Sequence, residues 1–304
     1  MLSNSKKNLR RQTALVTGAT GFLGSHLVKA LLQEGHRVVI LKRSSSKIDR
    51  IRDIASQLIC YDIDKCNLAQ PFQDIGKIDV VIHTATNYGR NHESISSIFE
   101  ANLAFPLRLL ETATEFKTDI FVNTDTIGDK YLSSYSLAKK HFMEWGKHFA
   151  DSGKINFLNI KLEYFFGPGE DDFKFTTYLI KSCLANVPEI KLTSGEQKRD
   201  LVYIDDVVSA YSLLLQRTEQ CITPYQDYEV GSGKAITIRQ FAETVHHFCN
   251  SKTVLNFGAL PYRKNETMHS KANIEPLNQL GWSPQYSLEQ ALFQTIDFFQ
   301  NKQT

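Results

Sequence analysis

A tyrosine and a lysine four residues apart, Tyr135 and Lys139, form the pair in this sequence best suited to proton transfer. Both lie in SYSLAKKHFMEWGKHFA, a helical pattern, and a spacing of four places the phenol and the ammonium on one helix face. A nearby cation favours phenolate, so the spacing predicts a tyrosine pKa lowered toward the range useful for acid–base catalysis. Such a pair also occurs by chance, so its meaning depends on the surrounding elements.

The stretch TALVTGATGFLG, residues 13–24, places three glycines directly after an apolar run. The run predicts a buried strand, and FLGSHLVKALLQEG predicts a helix that stops at Gly35. With the next apolar run, HRVVIL, this order is the start of a Rossmann-type fold. In such a turn Gly18 permits a sharp bend, Gly21 leaves room for a pyrophosphate, and Gly24 lets the helix pack closely on the sheet.

The end of the second predicted strand indicates which dinucleotide is bound. An acidic residue there would bind a ribose 2′-hydroxyl, but this sequence has Lys42 and Arg43, with no Asp or Glu before Asp49. A guanidinium can hold a 2′-phosphate through two parallel hydrogen bonds. The two cations therefore favour NADP(H) over NAD(H), with solvated surface side chains as the alternative.

Composition excludes several other classes of protein. A net charge of +2, with Lys and Arg scattered, does not indicate nucleic-acid binding. We expect no membrane span, because no apolar run reaches about 18 residues. We expect no metal site, because the five cysteines and the histidines show no zinc-type spacing. The absence of a signal-peptide pattern predicts a cytoplasmic protein.

Together these motifs resemble the extended short-chain dehydrogenase/reductase family of nucleotide-sugar epimerases, dehydratases and reductases, over nearly the whole chain. TGATGFLG matches the cofactor turn, Asp62 the acid that holds adenine, VIHTAT the stretch lining the cofactor, and Asn102 an asparagine at the start of a central helix. The cofactor contacts expected from the motifs and the resemblance are Gly18, Thr20, Gly21, Phe22, Leu23, Gly24, Lys42, Arg43, Asp62, Ile63, Thr84, Ala85, Thr86, Asn102, Tyr135 and Lys139.

The resemblance also implies an active site. Thr124 would hydrogen-bond the sugar oxygen, Tyr135 would exchange a proton with it, and Lys139 would bind the nicotinamide ribose. Thr126 would lie beside the substrate. Arg199, in KRDLVYIDDVVSAY, and Arg263, in PYRKNE, would bind a nucleotide diphosphate, and a guanidinium suits such oxygens.

The neighbours of Thr124 narrow the reaction. The 4,6-dehydratases of the family carry T-D-E at this place, whereas this sequence reads Thr124-Asp125-Thr126. The missing glutamate is the usual base for the elimination, so the sequence argues against a dehydratase. Asp125 remains either an additional catalytic acid or a structural hydrogen-bonding residue.

Several stretches, including FVNTDT and YEVGSGKAITIRQF, resemble the bacterial 4-ketoreductases of CDP-linked sugars, the group of the CDP-abequose and CDP-paratose synthases. This implies NADPH-dependent reduction of the C4 ketone of a nucleotide-linked 4-keto-deoxyhexose, with CDP as the nucleotide, in deoxysugar or O-antigen-type biosynthesis. One alternative is a nucleotide-sugar epimerase that retains its NAD. Another is a non-catalytic dinucleotide-binding sensor.

The predicted fold class is α/β, a Rossmann doubly wound parallel sheet of about seven strands with a smaller C-terminal α/β domain. Residues 10–160 would bind the dinucleotide, and residues 161–304 would mainly bind the nucleotide sugar, with partial interleaving. Two helical patterns, 95–116 and 134–150, carry more apolar residues than one core face needs, and relatives pair such helices into a homodimeric four-helix bundle. Packing within one subunit is the alternative. These apolar residues are Ile98, Phe99, Leu103, Leu107, Phe142, Trp145 and Phe149.

Overall fold

The computed structural model describes residues 11–217 and 223–301 of the chain. They form two compact units, each assembled from segments that are separate in the sequence. The first unit comprises residues 11–125, 129–160, 211–217 and 223–227. The second unit comprises residues 126–128, 161–210 and 228–301.

The strands are β1 (Thr13–Thr17), β2 (Arg37–Lys42), β3 (Ile59–Asp62), β4 (Val80–His83), β5 (Ile120–Thr126), β6 (Asn156–Leu162), β7 (Tyr164–Phe166), β8 (Glu189–Leu192), β9 (Lys198–Tyr203), β10 (Tyr225–Val230), β11 (Ala235–Thr237) and β12 (Val254–Phe257). The α-helices are α1 (Phe22–Gln33), α2 (Gln70–Ile75), α3 (Ile95–Phe99), α4 (Phe105–Glu115), α5 (Ser134–Asp151), α6 (Phe175–Leu184), α7 (Ile204–Gln216), α8 (Ile238–Phe248), α9 (Glu275–Gln279) and α10 (Leu288–Asn301). A 3₁₀ helix spans Asp49–Gln57, and a π turn spans Glu100–Ala104.

The first unit is built on a seven-stranded sheet in the order β10-β6-β5-β4-β1-β2-β3. The β1–β2, β1–β4, β2–β3 and β4–β5 pairs are parallel. Central strands covered on both faces must be apolar along their length, and Leu15, Val39 and Val81 are completely buried. The predicted doubly wound sheet is confirmed. Its connections change direction between β1 and β4, the place where such sheets bind ligands at the strands' carboxyl ends.

The helix predicted over residues 95–116 is interrupted. A π turn separates α3 from α4, and the cause lies in Pro106. A regular α-helix would require an N–H from residue 106 to the carbonyl of Asn102, and the proline ring would collide with that carbonyl. The wider turn accommodates the proline and turns the Asn102 side chain inward, where it is completely buried.

The apolar residues that suggested a dimer divide into two groups. The side chains buried within the first unit are Ile98, Leu103, Phe142 and Phe149. Phe99 and Trp145 are 52% and 45% exposed, and Leu107 is half-buried. The core therefore accounts for four of the seven, and the apolar surface left for a partner is smaller than the sequence predicts.

The second unit contains a three-stranded sheet in the order β11-β9-β7 and a two-stranded sheet of β12 and β8. Strand β9 pairs antiparallel with β11 and parallel with β7. Within the described residues, no helix is long and apolar enough to cross a membrane. In the same part of the chain, no group of His, Cys, Asp or Glu side chains could hold a metal ion.

Candidate active site

The glycine turn between β1 and α1 shows why two of its glycines are needed. Gly18 has a φ of +71°, and a Cβ on it would lie 2.6 Å from the backbone nitrogen of Ala85 and from Thr84 Oγ1. A Cβ on Gly24 would collide with the carbonyl oxygen and carbon of Gly18. The turn is therefore wedged between the end of β4 and the first turn of α1, with no room for a side chain at either position.

The third glycine leaves open space in front of the helix. A Cβ on Gly21 would meet only the Gly18 carbonyl oxygen, at 3.2 Å, and Gly21 has no side chain to cap α1. The first turn of α1 therefore presents backbone N–H groups and the positive end of the helix dipole to this space. Phe22 and Leu23 are buried and Thr20 is half-buried. These features fit the pyrophosphate of a dinucleotide.

The sequence predicts that Lys42 and Arg43, at the end of β2, both bind a 2′-phosphate, but the structure pairs one of them with a carboxylate. Lys42 Nζ lies 2.5 Å from Asp62 Oδ1, so two predicted cofactor ligands pair with each other. This ion pair lowers the pKa of Asp62. Ile63 donates its backbone N–H to the Lys42 carbonyl at 2.8 Å. Arg43 is exposed beside the pair, and it is therefore the cation better placed for an added phosphate.

The segment after β4 holds the glycine turn in place. Thr84 Oγ1 donates to the Thr17 carbonyl at 2.7 Å, and the Ala85 N–H donates to Thr17 Oγ1 at 3.3 Å. Thr17 Oγ1 also lies 2.8 Å from Nδ1 of His83, which is completely buried. Three consecutive residues of the VIHTAT motif thus bind the strand that leads into the turn.

The next residue of that motif connects to the π turn. Thr86 Oγ1 donates to Asn102 Oδ1 at 2.7 Å, and the Asn87 N–H donates to the same oxygen at 3.1 Å. Asn102 Nδ2 donates to the carbonyls of Asn87 at 2.8 Å and Ile98 at 2.9 Å. Asn102 therefore fixes the loop after β4 rather than presenting a free amide to the site.

Tyr135 lies in the first turn of α5, whose N-cap Ser133 accepts a hydrogen bond from the Ser136 N–H at 3.1 Å. The nearby Thr86 side chain acts to lower the Tyr135 pKa. The Tyr135 ring centroid lies 5.0 Å from that of Tyr88. Sequence reasoning missed Tyr88, because nothing in a loop sequence shows that its ring will pack against this tyrosine.

The predicted lowering of the Tyr135 pKa is wrong for this structure. Burial raises its pKa well above the usual value of a tyrosine, and the charge of Asp125 acts in the same direction. Arg90, whose guanidinium carbon lies 4.8 Å from the centre of the Tyr88 ring, opposes the rise. Desolvation of the phenolate outweighs the nearby cation, so Tyr135 is protonated at neutral pH.

Lys139 follows one turn later and is 2% exposed. Burial lowers the pKa of Lys139 to about 8, the Asp125 carboxylate opposes this fall, and the neighbouring Lys140 adds to it. The lysine is therefore close to losing its charge in mildly alkaline solution. Its protonation depends on both neighbours.

The two threonines around Asp125 already have partners. Thr124 Oγ1 lies 2.7 Å from the hydroxyl of Tyr211, a completely buried tyrosine whose pKa is raised by burial. This contact fixes the Thr124 hydroxyl and joins residues 87 positions apart, which no local pattern could predict. Thr126 Oγ1 accepts the Gly128 N–H at 3.2 Å and so stabilises a turn.

In the second unit, the predicted diphosphate ligand Arg199 is buried and engaged. It donates to the Lys198 carbonyl at 2.8 Å and forms an ion pair with Glu266. Its guanidinium carbon lies 5.4 Å from the centre of the Tyr164 ring. Arg263 is exposed, on the turn in which the Glu266 N–H donates to the Arg263 carbonyl at 3.0 Å. Glu266, a competitor for the guanidinium, was also missed by sequence reasoning.

Comparisons with known proteins show the family and the fold of this chain. Residues 14–231 match the model of the NAD dependent epimerase/dehydratase family. The chain is 36% identical over 285 residues to a CDP-abequose synthase of Salmonella muenchen, which covers 91% of this chain and 94% of that protein. A CDP-abequose synthase of Salmonella typhimurium strain LT2 is 32% identical over 295 residues, or 93% and 96% of the two chains. A solved UDP-glucose 4-epimerase of Thermotoga maritima shares the fold, with a TM-score of 0.85, 22% identity, and coverage of 96% and 100%.

Proposed function

Because this chain belongs to the NAD dependent epimerase/dehydratase family, we propose that it reduces the C4 ketone of a nucleotide-linked 4-keto-deoxyhexose with NADPH. The chain is an NAD(P)-dependent nucleotide-sugar enzyme of the extended short-chain dehydrogenase/reductase type. Two similar proteins are CDP-abequose synthases, which supports a deoxysugar-related reductase with CDP as the substrate's nucleotide. A reductase that consumes NADPH would work in the cytoplasm, where that cofactor is supplied.

The observation that carries the proposal is the similarity to two CDP-abequose synthases, at 36% and 32% identity over 91% and 93% of this chain. Reduction of a ketone requires a proton for the oxygen that becomes a hydroxyl, and burial keeps the Tyr135 phenol protonated at neutral pH. An epimerase begins by oxidising its substrate, so its tyrosine must first accept a proton. Tyr135 is thus in the protonation state that a reduction needs at its start.

The side chains of the first unit supply the remaining parts of the reaction. NADPH, when bound, supplies the hydride. Gly21 and the first turn of α1 would hold its pyrophosphate, and Lys139 would hold its nicotinamide ribose. Thr124, oriented by Tyr211, would hydrogen-bond the sugar O4, to which Tyr135 donates its proton.

The test is NADPH consumption, followed by absorbance, with 4-keto-deoxyhexoses carried on CDP, dTDP and GDP. We expect loss of NADPH in a one-to-one ratio to substrate with the CDP sugar. No loss with any sugar would contradict the proposal. If dinucleotide also remains bound through purification, the protein would be assigned as an epimerase.

Replacement of Arg43 by alanine tests the choice of NADPH. Because a hydrogen bond to a charged group contributes about 1.5–3 kcal/mol, we expect kcat/KM with NADPH to fall about 10- to 100-fold and kcat/KM with NADH to change little. Steady-state kinetics with both cofactors measure this. Lys47→Ala, at an exposed lysine of the following segment, should leave both values unchanged. An equal loss with NADPH and NADH would remove the 2′-phosphate role.

We also propose a homodimer in which the helical segment from α3 to α4 and helix α5 pair with their copies as a four-helix bundle. Helix α3 packs beside α5, and Ile95, Phe99 and Trp145 leave apolar side chains exposed on these helices. Light scattering should give about twice the chain mass of 34.6 kDa. The double variant Phe99→Glu/Trp145→Glu should give the monomer mass, because charge is costly to bury unpaired.

Phe293→Glu, at an exposed phenylalanine of the second unit, is the matched control and should remain dimeric. A monomeric wild-type protein, or a double variant that stays dimeric, would rule out this interface.

A further inference from the structure

The side chain of Asp125 lies inside the first unit rather than at an open surface. It is 0% exposed, Lys140 Nζ lies 3.0 Å from its Oδ2, and Asn159 Nδ2 donates to the same oxygen at 3.3 Å. A carboxylate enclosed in this way, with an ammonium and an amide on one oxygen, is not placed to protonate a sugar. Its position requires a different explanation.

Asn159 fixes the orientation of this carboxylate. Its Oδ1 accepts a hydrogen bond from Asn123 Nδ2 at 2.8 Å, so its Nδ2 must face the carboxylates. Nδ2 donates both to Asp125 and to Asp227 Oδ1, the latter at 3.0 Å. Both amide hydrogens are therefore used, and Asp125 is held on the side of the sheet where α5 carries its lysines.

The two lysines are adjacent in the sequence, and both are withdrawn from solvent. Lys139 is 2% exposed, and the Lys140 side chain is 13% exposed. Burial and the charge of Lys140 both disfavour the charged form of Lys139. A buried cation next to another cation is stable only with a counter-ion.

The charged and titratable groups around Lys139 come from several elements. Tyr135 and Lys140 lie on its own helix, His83 on β4, Asp125 on β5, and Asp227 acts through Asn159 from β10. Burial lowers the pKa of His83 well below the usual value, so this ring is neutral, and Tyr135 is a neutral phenol. Among the described residues, Asp125 is the group whose charge raises the pKa of Lys139.

We propose that Asp125 is a positioning residue, the buried counter-ion of the Lys139–Lys140 pair, which keeps Lys139 charged for binding the cofactor ribose. The proposal rests on the proposed function in one respect, the contact between Lys139 and the dinucleotide. It assigns to Asp125 neither proton transfer nor substrate contact.

The test is the pH dependence of NADPH binding, measured by the fluorescence of the bound dinucleotide without any sugar, from pH 7 to pH 10. Lys139 is charged below its pKa, so affinity should fall as the pH rises through that pKa. Asp125→Asn removes the anion and should move this fall to lower pH by about one unit. Lys140→Gln removes the neighbouring cation and should move it to higher pH. The double variant should return toward the wild-type curve.

A merely structural role would weaken binding or stability without moving the two curves in opposite directions. In the reductase assay at pH 7, Asp125→Asn should raise the KM for NADPH more than it lowers kcat. A general acid would instead give a loss of kcat of about 10²- to 10⁴-fold with an unmoved binding curve, which would overturn the proposal. Lys147→Gln, at an exposed lysine of the same helix, should leave the curve unchanged.

If Asp125→Asn does not fold, the Lys140→Gln variant alone tests the proposal. A pH dependence of NADPH affinity equal to that of the wild-type protein would then overturn it. A wild-type curve with no alkaline fall overturns it as well. Because binding is measured without sugar, a chain that binds dinucleotide and reduces no ketone contradicts the proposed function, while these curves still decide the role of Asp125.

Discussion

Replacing Tyr135 with phenylalanine should lower kcat for ketone reduction by about 10²- to 10⁴-fold, the usual contribution of a positioned proton donor. The change removes one oxygen from a half-buried side chain, so its ring can keep its contact with Tyr88. Affinity for NADPH should change much less, because the groups proposed to hold the pyrophosphate, the ribose and the 2′-phosphate, at Gly21, Lys139 and Arg43, are all retained. Stopped-flow or steady-state assays give kcat, and thermal unfolding shows whether the fold is retained.

Tyr131→Phe is the matched control, since Tyr131 is four residues earlier and 78% exposed. It should keep the wild-type rate. If the Tyr135 variant reduces the sugar as fast as the wild-type protein, Tyr135 is not the proton donor. A non-catalytic sensor would show no ketone reduction in either form and unchanged dinucleotide binding in both.

Replacing Gly24 with alanine should lower the free energy of unfolding by about 3 kcal/mol, because the new methyl group meets rigid backbone at Gly18. No flexible side chain can move away to relieve this collision. Gly21→Ala should behave differently. Its φ of −79° suits alanine and its Cβ would make one tight contact, 3.2 Å from the Gly18 carbonyl oxygen, so stability should fall by only about 1 kcal/mol.

The same Gly21 variant should lose more than about tenfold in NADPH affinity, because its methyl group would occupy the space proposed for the pyrophosphate. Chemical denaturation without ligand and fluorescence titration with NADPH separate the two effects. Equal stability of the Gly24 and Gly21 variants would contradict the close contact between Gly24 and the Gly18 backbone. Undiminished affinity of Gly21→Ala would contradict the cofactor site.

The parts of the fold that sequence could predict are those encoded over short distances. The apolar run, the glycine turn and the helix stop at Gly35 all act within a few residues of each other. The resulting sheet order therefore follows from repeated strand–helix units and their handedness. The pairing of Tyr135 with Lys139 is likewise a property of helix geometry alone.

Contacts between distant segments could not be predicted in this way. Lys42 and Asp62 lie at the ends of two different strands, and each was a candidate cofactor ligand. Nothing in the sequence indicates that the two side chains form an ion pair with each other. The π turn also shifts the helical phase, so Ile98 and Leu103, five residues apart, are both buried. A single 3.6-residue period over residues 95–116 therefore cannot separate core from surface.

Because Arg199 is buried against Glu266, a diphosphate that binds this guanidinium must first displace a carboxylate, as in ion exchange. The guanidinium would then serve two anions in turn, the Glu266 carboxylate seen here and the diphosphate of an arriving molecule. The binding free energy of the diphosphate would then reflect the difference between two ion pairs rather than the formation of one. The returning carboxylate would help to displace a diphosphate after reaction, so the contact that limits tight binding would also speed turnover.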